Sequence, residues 1–206
     1  MVDKEAVRRS YDELGASYGA QRDSGGVRAL DALLDSADPD RVLDAGCGPG
    51  TPVLGRLDEA TAAVGLDVSR AQLEIAAGDV PGAALAQGDM TRLPFAADSF
   101  DAVVAYWSLI HVPLVEHPAV LAEFARVLRP GGRALVCEGR EAWTGENPDW
   151  LDSGVGMAWE MAGAEATRED LRTVGFSVER EWGAADSLDE DDEAEPWVFI
   201  EARLER

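Results

Sequence analysis

The stretch DAGCGPG, residues 44–50, decides the fold. It follows the apolar run 41–45 and leads into a helical segment, for which Thr51 is the predicted N-cap and Pro52 the first residue. Alternating glycines allow a sharp turn and close approach of a ligand to the backbone, and a helix N-terminus offers free N–H groups to an anion. The stretch therefore predicts a strand–turn–helix unit that holds a nucleotide-like cofactor.

Further apolar runs predict a parallel sheet around this unit. Each is short and rich in Val, Leu and Ala, as expected for buried strands, and they span residues 62–66, 83–86, 101–106 and 133–137. Between them, Ser69 and Gln72 form a predicted capping box, and His117-Pro118 opens another helix. Alternation of strands and helices implies right-handed crossovers between parallel strands.

The two ends of the chain add different elements. An amphipathic helix in front of the core is predicted from residues at helical spacing, namely Val7, Tyr11, Leu14 and Tyr18. Thr167 and Asp170 predict the capped start of a helix that ends at Gly175. The alternating runs 176–182 and 197–204 predict two antiparallel strands at one edge, joined by the acidic segment 186–195. We therefore expect an α/β fold: a doubly wound, Rossmann-like sheet of seven mostly parallel strands, with an antiparallel last strand and helices on both faces.

Length and composition are typical of one soluble domain. The 206 residues predict a single domain in three parts: an N-terminal helical lid segment (1–40), a cofactor-binding core (41–138), and a substrate-side insert with a C-terminal hairpin (139–206). No apolar stretch is long enough to span a bilayer and no signal peptide is seen, so we expect a cytoplasmic protein. Two cysteines and two histidines without metal-ligand spacing predict neither a disulfide nor a metal site.

The charge of the chain is strongly negative. Its formal value of −22 comes from 40 acidic and 18 basic residues, and Lys4 is the only lysine. The acidic residues are spread over the chain rather than collected in a tail, which is typical of proteins from cells with molar internal salt, where screening suppresses self-repulsion. We therefore expect a halophilic source, and the charge then says little against a nucleic-acid substrate.

Two carboxylates follow the next two strands. Asp67 ends the second strand 21 residues after Gly46, close to the position of a ribose-binding acid in dinucleotide-binding proteins. Asp89-Met90 ends the third strand and offers an acceptor for an adenine amino group and a flexible apolar side chain against the ring. The dinucleotide pattern G-x-G-x-x-G has Thr51 where its third glycine belongs, yet a nicotinamide-dependent oxidoreductase stays open as an alternative.

Four segments resemble the class I S-adenosylmethionine (SAM)-dependent methyltransferase family in order and spacing: VLDAGCGPG (42–50), AVGLDVS (63–69), AQGDMTRLPFAADSFDAVVAYWSLIHV (86–112) and VLRPGGRALV (127–136). The resemblance implies a cofactor site for SAM made of Asp44, Gly46, Gly48, Gly50, Asp67, Val68, Asp89, Met90 and Tyr18. In that site the glycines and Asp44 hold the methionine part, Asp67 the ribose, and Asp89 and Met90 the adenine. The implied function is methyl transfer to a small-molecule acceptor, with a non-catalytic SAM-binding regulator as a further alternative.

The acceptor side is less constrained. His111 follows the fourth strand and is the candidate general base for an acceptor that must lose a proton, although a structural histidine is the alternative. Aromatic residues that either line an acceptor pocket or fill the core are Tyr106, Trp107, and, in an irregular stretch before the last helix, Trp143, Trp150 and Trp159. No Asn/Asp-Pro-Pro-aromatic motif follows the fourth strand, which disfavours a nucleic-acid substrate. The sequence does not predict the oligomeric state.

Overall fold

The main sheet has seven strands. The computed structural model describes residues 1–19, 27–184 and 196–206. The strands in these residues are β1 Arg41–Ala45, β2 Ala62–Asp67, β3 Ala84–Gln87, β4 Phe100–Ala105, β5 Leu128–Gly139, β6 Trp143–Trp150, β7 Val155–Met161, β8 Phe176–Ala184 and β9 Trp197–Leu204. Of these, β6 and β7 form a separate two-stranded sheet. The main sheet has the order β3-β2-β1-β4-β5-β9-β8, in which β1 to β5 pair in parallel and β9 runs antiparallel to both neighbours. The expected mostly parallel sheet with an antiparallel last strand is therefore confirmed.

Helices cover both faces of this sheet. They are α1 Lys4–Leu14, α2 Ala16–Gly19, α3 Val27–Ala37, α4 Val53–Asp58, α5 Arg70–Asp79, α6 His117–Val127 and α7 Ala164–Thr173, with short 3₁₀ turns at Leu109–His111 and Leu114–Glu116. Successive strand residues point to opposite faces, so Val42 joins the apolar cluster under α3, α4 and α5, whereas Leu43 joins the cluster under α6 and α7. The doubly wound arrangement is confirmed.

Three expected helix starts differ in detail. The helix after the glycine turn begins at Val53 without a side-chain cap, so the predicted Thr51 cap is wrong; the carbonyl of Gly50 accepts from Gly55 N at 2.9 Å instead. At α5, Ser69 caps Gln72 N, but the Gln72 amide does not close a capping box, because it donates to two carbonyls at the end of α1. The last helix begins at Ala164, so Thr167 lies inside it rather than at its cap.

The cover of the sheet is built from distant parts of the chain. The expected N-terminal helix breaks at Gly15, where φ is +50°, and Tyr18 lies in the short α2. The stretch that was expected to be irregular forms a hairpin of β6 and β7. An apolar cluster joins α1 and α2 to this hairpin through Val7, Leu14, Tyr18, Trp150 and Met157, with Val2 and Val155 beside them. The acidic segment 186–195 lies outside the described residues.

Candidate cofactor and acceptor site

A cleft opens at the carboxyl ends of the central strands. The strand order reverses between β1 and β4, which is where ligands bind in open α/β sheets. The space between the atoms of the cleft is about 620 Å³ when the solvent at its open mouth is included. Its lining residues are Lys4, Val7, Tyr11, Tyr18, Gly46, Gly48, Leu66, Asp67, Val68, Gly88, Asp89, Met90, Tyr106, Trp107, Ser108, His111 and Val112.

The glycine turn forms one wall of the cleft. Gly46 has φ +84°, and a Cβ at this position would lie 2.3 Å from the Ser108 Cβ, so only glycine fits against the segment after β4. Ser108 in turn donates to the carbonyl of Ala45 at 2.6 Å. Gly48 also has a positive φ and faces the ring of Tyr18. The turn therefore presents bare backbone to the cleft, as a close-fitting cofactor requires.

Two expected cofactor residues lie outside the lining of the cleft. Gly50 has φ +92°, and a Cβ at this position would lie only 3.0 Å from Val80 Cγ2 and 3.2 Å from Ala76 Cβ, in the α5 region. Asp44 is buried within β1, with a relative exposure of 1%. Gly50 therefore serves the turn and its packing against α5, and Asp44 lies beneath the turn rather than at the cleft surface.

Asp67 is held by the backbone at the end of β2. Its Oδ2 accepts from Gly48 N and its Oδ1 from Ser69 N, both at 2.8 Å. Burial raises the pKa of this carboxyl to about 6, against hydrogen bonds from the backbone of Ser69, Gly48 and Val68. A carboxylate has about four acceptor positions, so the ionised form can still accept from ligand hydroxyls. Its neighbour Val68 lines the cleft beside it.

Asp89 lies just after β3, and it lines the part of the cleft near the end of that strand. Its Oδ1 accepts from the amide and hydroxyl of Thr91, each at 2.8 Å, and its Oδ2 accepts from Lys4 Nζ at 2.7 Å. Partial burial raises the pKa of Asp89, but the hydrogen bonds from Lys4 and Thr91 outweigh it and hold the pKa below its usual range. Met90 lines the cleft next to it and is almost fully buried. The sequence analysis did not identify Lys4 as a residue of the cleft. The only signal that could have drawn attention to it is that it is the single lysine of the chain.

His111 lies in the cleft and is paired with Tyr11. Its Nδ1 is 3.2 Å from the carbonyl of Ala158, which only accepts, so Nδ1 carries the hydrogen. The lone pair is therefore on Nε2, which accepts from the Tyr11 hydroxyl at 2.8 Å. The structure thus brings a basic nitrogen to the cleft and connects it to α1 and β7.

The aromatic residues divide into two groups. Tyr106 and Trp107 line the cleft, as does Tyr18 on the opposite side. Trp150 and Trp159 pack behind the cleft, with Trp150 6.0 Å from the Tyr11 ring and Trp159 6.1 Å from the His111 ring, centroid to centroid. Trp143 is 51% exposed on the hairpin. The three insert tryptophans thus do not form one pocket surface among the residues that the structure describes.

Both cysteines and the second histidine of the chain are buried. Burial raises the pKa of the Cys47 thiol. His117 is buried at the start of α6, with its Nε2 2.9 Å from the Val112 carbonyl. Within residues 1–19, 27–184 and 196–206, no three His, Cys, Asp or Glu side chains are arranged to hold a metal ion. The helices in those ranges are all too short or too polar to cross a bilayer.

Comparisons with known proteins find similarity to methyltransferases. Residues 42–132 match the family model of the methyltransferase domain. The chain is similar to a demethylmenaquinone methyltransferase of Mycobacterium sp. (strain KMS), with 40% identity over 135 residues, which are 65% of this chain and 56% of that protein. The chain thus spans little more than half the length of that relative.

Two solved structures are similar over most of the chain. One is an S-adenosylmethionine-dependent methyltransferase of Mesorhizobium loti, with a TM-score of 0.68, 23% identity, and coverage of 85% of this chain and 96% of that one. The other is the [4+2]-cyclase SpnF, with a TM-score of 0.70, 23% identity, and coverage of 96% and 95%. At such identities the likeness shows the fold alone. The chain thus matches a methyltransferase domain over residues 42–132 and shares the fold of these two structures.

Proposed function

We propose that this protein transfers the methyl group of SAM to a small-molecule acceptor. The observation that carries the proposal is one cleft that combines a bare glycine turn, the backbone-held carboxylate of Asp67 and the carboxylate of Asp89 beside Met90. A nucleoside with two ribose hydroxyls and an exocyclic amino group has donors for both carboxylates. The proposed binding residues are Gly46, Gly48, Asp67, Val68, Asp89, Met90 and Tyr18, with Asp44 and Gly50 supporting the turn.

The chain contributes chiefly position and a dry environment. Bound SAM supplies a methyl group on a positively charged sulfonium. The cleft walls from Tyr18, Tyr106 and Trp107 are largely apolar, and a water-poor site favours a reaction in which charge is neutralised. Holding both reactants in line supplies effective molarities on the order of 10⁵ M, or roughly 7 kcal/mol of barrier. No protein nucleophile is then required.

His111 is the proposed general base for an acceptor that loses a proton. Because its Nδ1–H is held by Ala158 and its Nε2 accepts from Tyr11, the imidazole is already in the tautomer that can take a proton. As the acceptor attacks, its proton passes to the Tyr11 oxygen while the Tyr11 proton passes to Nε2. The S–CH3 bond would break as the new bond to the acceptor forms, so the products would be a methylated acceptor, S-adenosylhomocysteine, a neutral tyrosine and an imidazolium that still donates to Ala158. This route suits an acceptor that attacks through a hydroxyl group.

The acceptor class is proposed as a small metabolite. The relative from Mycobacterium bears a name that denotes methylation of demethylmenaquinone, and the cleft here offers aromatic walls to a ring-shaped ligand of that kind. The cleft is covered by α1 and the β6–β7 hairpin, which pack together and lie outside the strand ends that form the cofactor site. We propose that these elements, within segments 1–40 and 139–206, select the acceptor.

Two measurements test the proposed function. Calorimetric titration with SAM and S-adenosylhomocysteine is expected to give dissociation constants in the micromolar range, about −8 kcal/mol. Labelled methyl from SAM is then expected to appear in a product formed from a metabolite extract. Saturable binding of NADH without binding of SAM would instead favour an oxidoreductase. Tight SAM binding with no labelled product would favour a non-catalytic regulator, or a catalyst of another reaction on this fold.

We also propose that the acidic surface is an adaptation to high salt. The formal charge of −22 creates self-repulsion that counterions screen within about 3 Å at 1 M salt. The unfolding temperature is therefore expected to rise as KCl is increased from about 0.1 to about 2 M, since the Debye length falls over that range. An unfolding temperature that falls with KCl would contradict the proposal.

A further inference from the structure

Lys4 lines the cleft but belongs to none of the sequence motifs that predict the cofactor site. Its ammonium group is the only one on a side chain of this protein, since the other 17 basic residues of the 18 are arginines. It lies at the start of α1 and lines the cleft. Its Nζ bonds Asp89 Oδ2 at 2.7 Å, contacts Glu116 Oε2, and lies 3.3 Å from Thr91 Oγ1. Lys4 thus connects α1 to the end of β3 and to the second 3₁₀ turn.

The lone pairs of Asp89 are used unevenly. Thr91 N and Thr91 Oγ1 both donate to Oδ1, which occupies its two acceptor positions. Lys4 takes one position on Oδ2 and leaves one for a donor in the cleft. Because an ammonium is a compact charge with three donors, it can hold this oxygen while also holding Glu116, which the planar fork of an arginine fits less well.

We propose that Lys4 is a specificity-determining residue for the cofactor base: it keeps Asp89 ionised and oriented, and so selects a 6-aminopurine over a 6-oxopurine. An ionised carboxylate only accepts, so it pairs with an exocyclic amino group and repels a carbonyl oxygen in the same place. Without Lys4, Oδ2 loses the donor that fixes its position and becomes a less well placed acceptor for the amino group. The inference rests on the proposed function, because it assumes that Asp89 faces the base of SAM.

The test compares two ligands that differ only at this group. Calorimetric titration measures the affinities of the wild type for S-adenosylhomocysteine and for its 6-oxo counterpart, S-inosylhomocysteine. The wild type is expected to prefer the amino form by about 100-fold or more, because a site built around one hydrogen bond strongly rejects a ligand that lacks it. In Lys4→Met this preference is expected to fall by about tenfold, chiefly through weaker binding of the amino form.

Two other variants make the result specific. Arg8→Met removes a cation from the same helix, one that pairs with Glu5 and Asp12 and not with Asp89, and it is expected to keep the wild-type preference. Asp89→Asn retains an acceptor and adds a donor, and it is expected to reduce the preference even with Lys4 present. This variant keeps the test open if Lys4→Met does not fold.

The possible outcomes separate the two proposals. A folded Lys4→Met variant with the wild-type preference would overturn the role of Lys4 while leaving SAM binding intact. So would an Asp89→Asn variant that kept the full preference. Failure of the wild type to bind S-adenosylhomocysteine at all would overturn the proposed function, and the inference with it.

Discussion

The two sides of the cleft are held in place by different means. On the cofactor side, Asp67 is fixed by amides of residues 48 and 69, and Asp89 by the amide of residue 91, all close to strand ends. On the acceptor side, Tyr11 meets His111 across 100 residues of sequence, and His111 meets Ala158 across 47. Apart from the contact of Lys4 with Asp89, the cofactor side is thus held by backbone groups near strand ends, whereas the acceptor side is held by the packing of distant elements. The first can change little without loss of the turn, whereas the second can be rebuilt by changing the hairpin.

The largest effect is expected on the cofactor side. Asp67→Ala removes the acceptor of two ligand hydroxyls and leaves the amides of Gly48 and Ser69 without their partner. At about 1.5–3 kcal/mol for each hydrogen bond to a charged group, the affinity for S-adenosylhomocysteine should fall by about 10²–10⁴-fold. Titration calorimetry measures this. Glu74→Gln, on the exposed side of α5, is the matched control and should bind as the wild type does. Tight binding by Asp67→Ala would show that the ligand lies elsewhere.

A smaller and different effect is expected on the acceptor side. His111→Ala should reduce labelled methyl transfer by about 10²–10³-fold, because the general base is lost, with cofactor affinity changed less than about threefold. Tyr11→Phe keeps the ring contacts of Tyr11 with Tyr18 and Trp150 but removes the hydroxyl that reaches Nε2. It should lower the rate by about tenfold or more. Single-turnover rates under saturating SAM measure both. Unchanged rates in both variants would mean that the acceptor needs no base.

Glu138 lies where β5 meets α6 and α7, and its buried carboxyl can be tested by pH. It is the fully buried penultimate residue of β5, accepts from Gly139 N and from Thr167 Oγ1 of α7, and lies 4.0 Å from His117 Nδ1. Burial, against these hydrogen bonds, raises the pKa of this carboxyl from 4.5 to about 7. The folded state therefore holds a proton that the unfolded state releases between these pH values, so the free energy of unfolding falls as pH rises through that window.

The expected result is a gain of stability for Glu138→Gln at alkaline pH. The neutral amide avoids the buried charge, so at pH 8 the variant should be more stable than the wild type by about 1–3 kcal/mol, with little difference near pH 4. Urea unfolding at both pH values measures the change. Asp67, whose pKa is raised to about 6, contributes a pH dependence of the same sign, and it is present in both proteins. A wild-type advantage that grows with pH would contradict the assignment.

The smallest effect is expected at the outer face of the hairpin. Trp143 is half exposed, and its ring covers Gly145 on its own strand. Trp143→Ala should therefore change the unfolding free energy by less than about 1 kcal/mol and leave cofactor affinity unchanged, because a surface side chain loses little burial. Trp150→Ala is the contrasting variant: it removes a buried ring that contacts Tyr11 and Tyr18, and should cost about 3 kcal/mol or more. Equal losses would indicate that the hairpin is uniformly packed.

Sequence reasoning predicted the sheet and brought most of the proposed cofactor residues to one edge of it. Short apolar runs predicted the five parallel strands of the main sheet and alternating runs predicted β8 and β9, while the family resemblance carried by residues 42–136 agrees with the domain match and the fold. The residues expected to bind the cofactor largely converge on one cleft, with Asp44 and Gly50 outside its lining. Their binding roles stay predictions. The wrong helix starts at Thr51 and Thr167 have a common cause: in both cases the surrounding backbone, and not a side-chain hydroxyl, settles where the helix begins.

By itself, the sequence determined what depends on neighbouring residues: the strand–turn–helix unit around residues 44–50, the positions of Asp67 and Asp89 at strand ends, and the alternation that requires a parallel sheet. Only the tertiary structure decided that Tyr11 bonds His111, that Lys4 holds Asp89, and that the tryptophan-rich stretch is a hairpin beneath α1. The physical reason is the separation along the sequence between the residues that are in contact. Turn geometry and strand ends follow from local conformation, whereas contacts over about 50 residues or more depend on how whole elements pack, which no local pattern encodes.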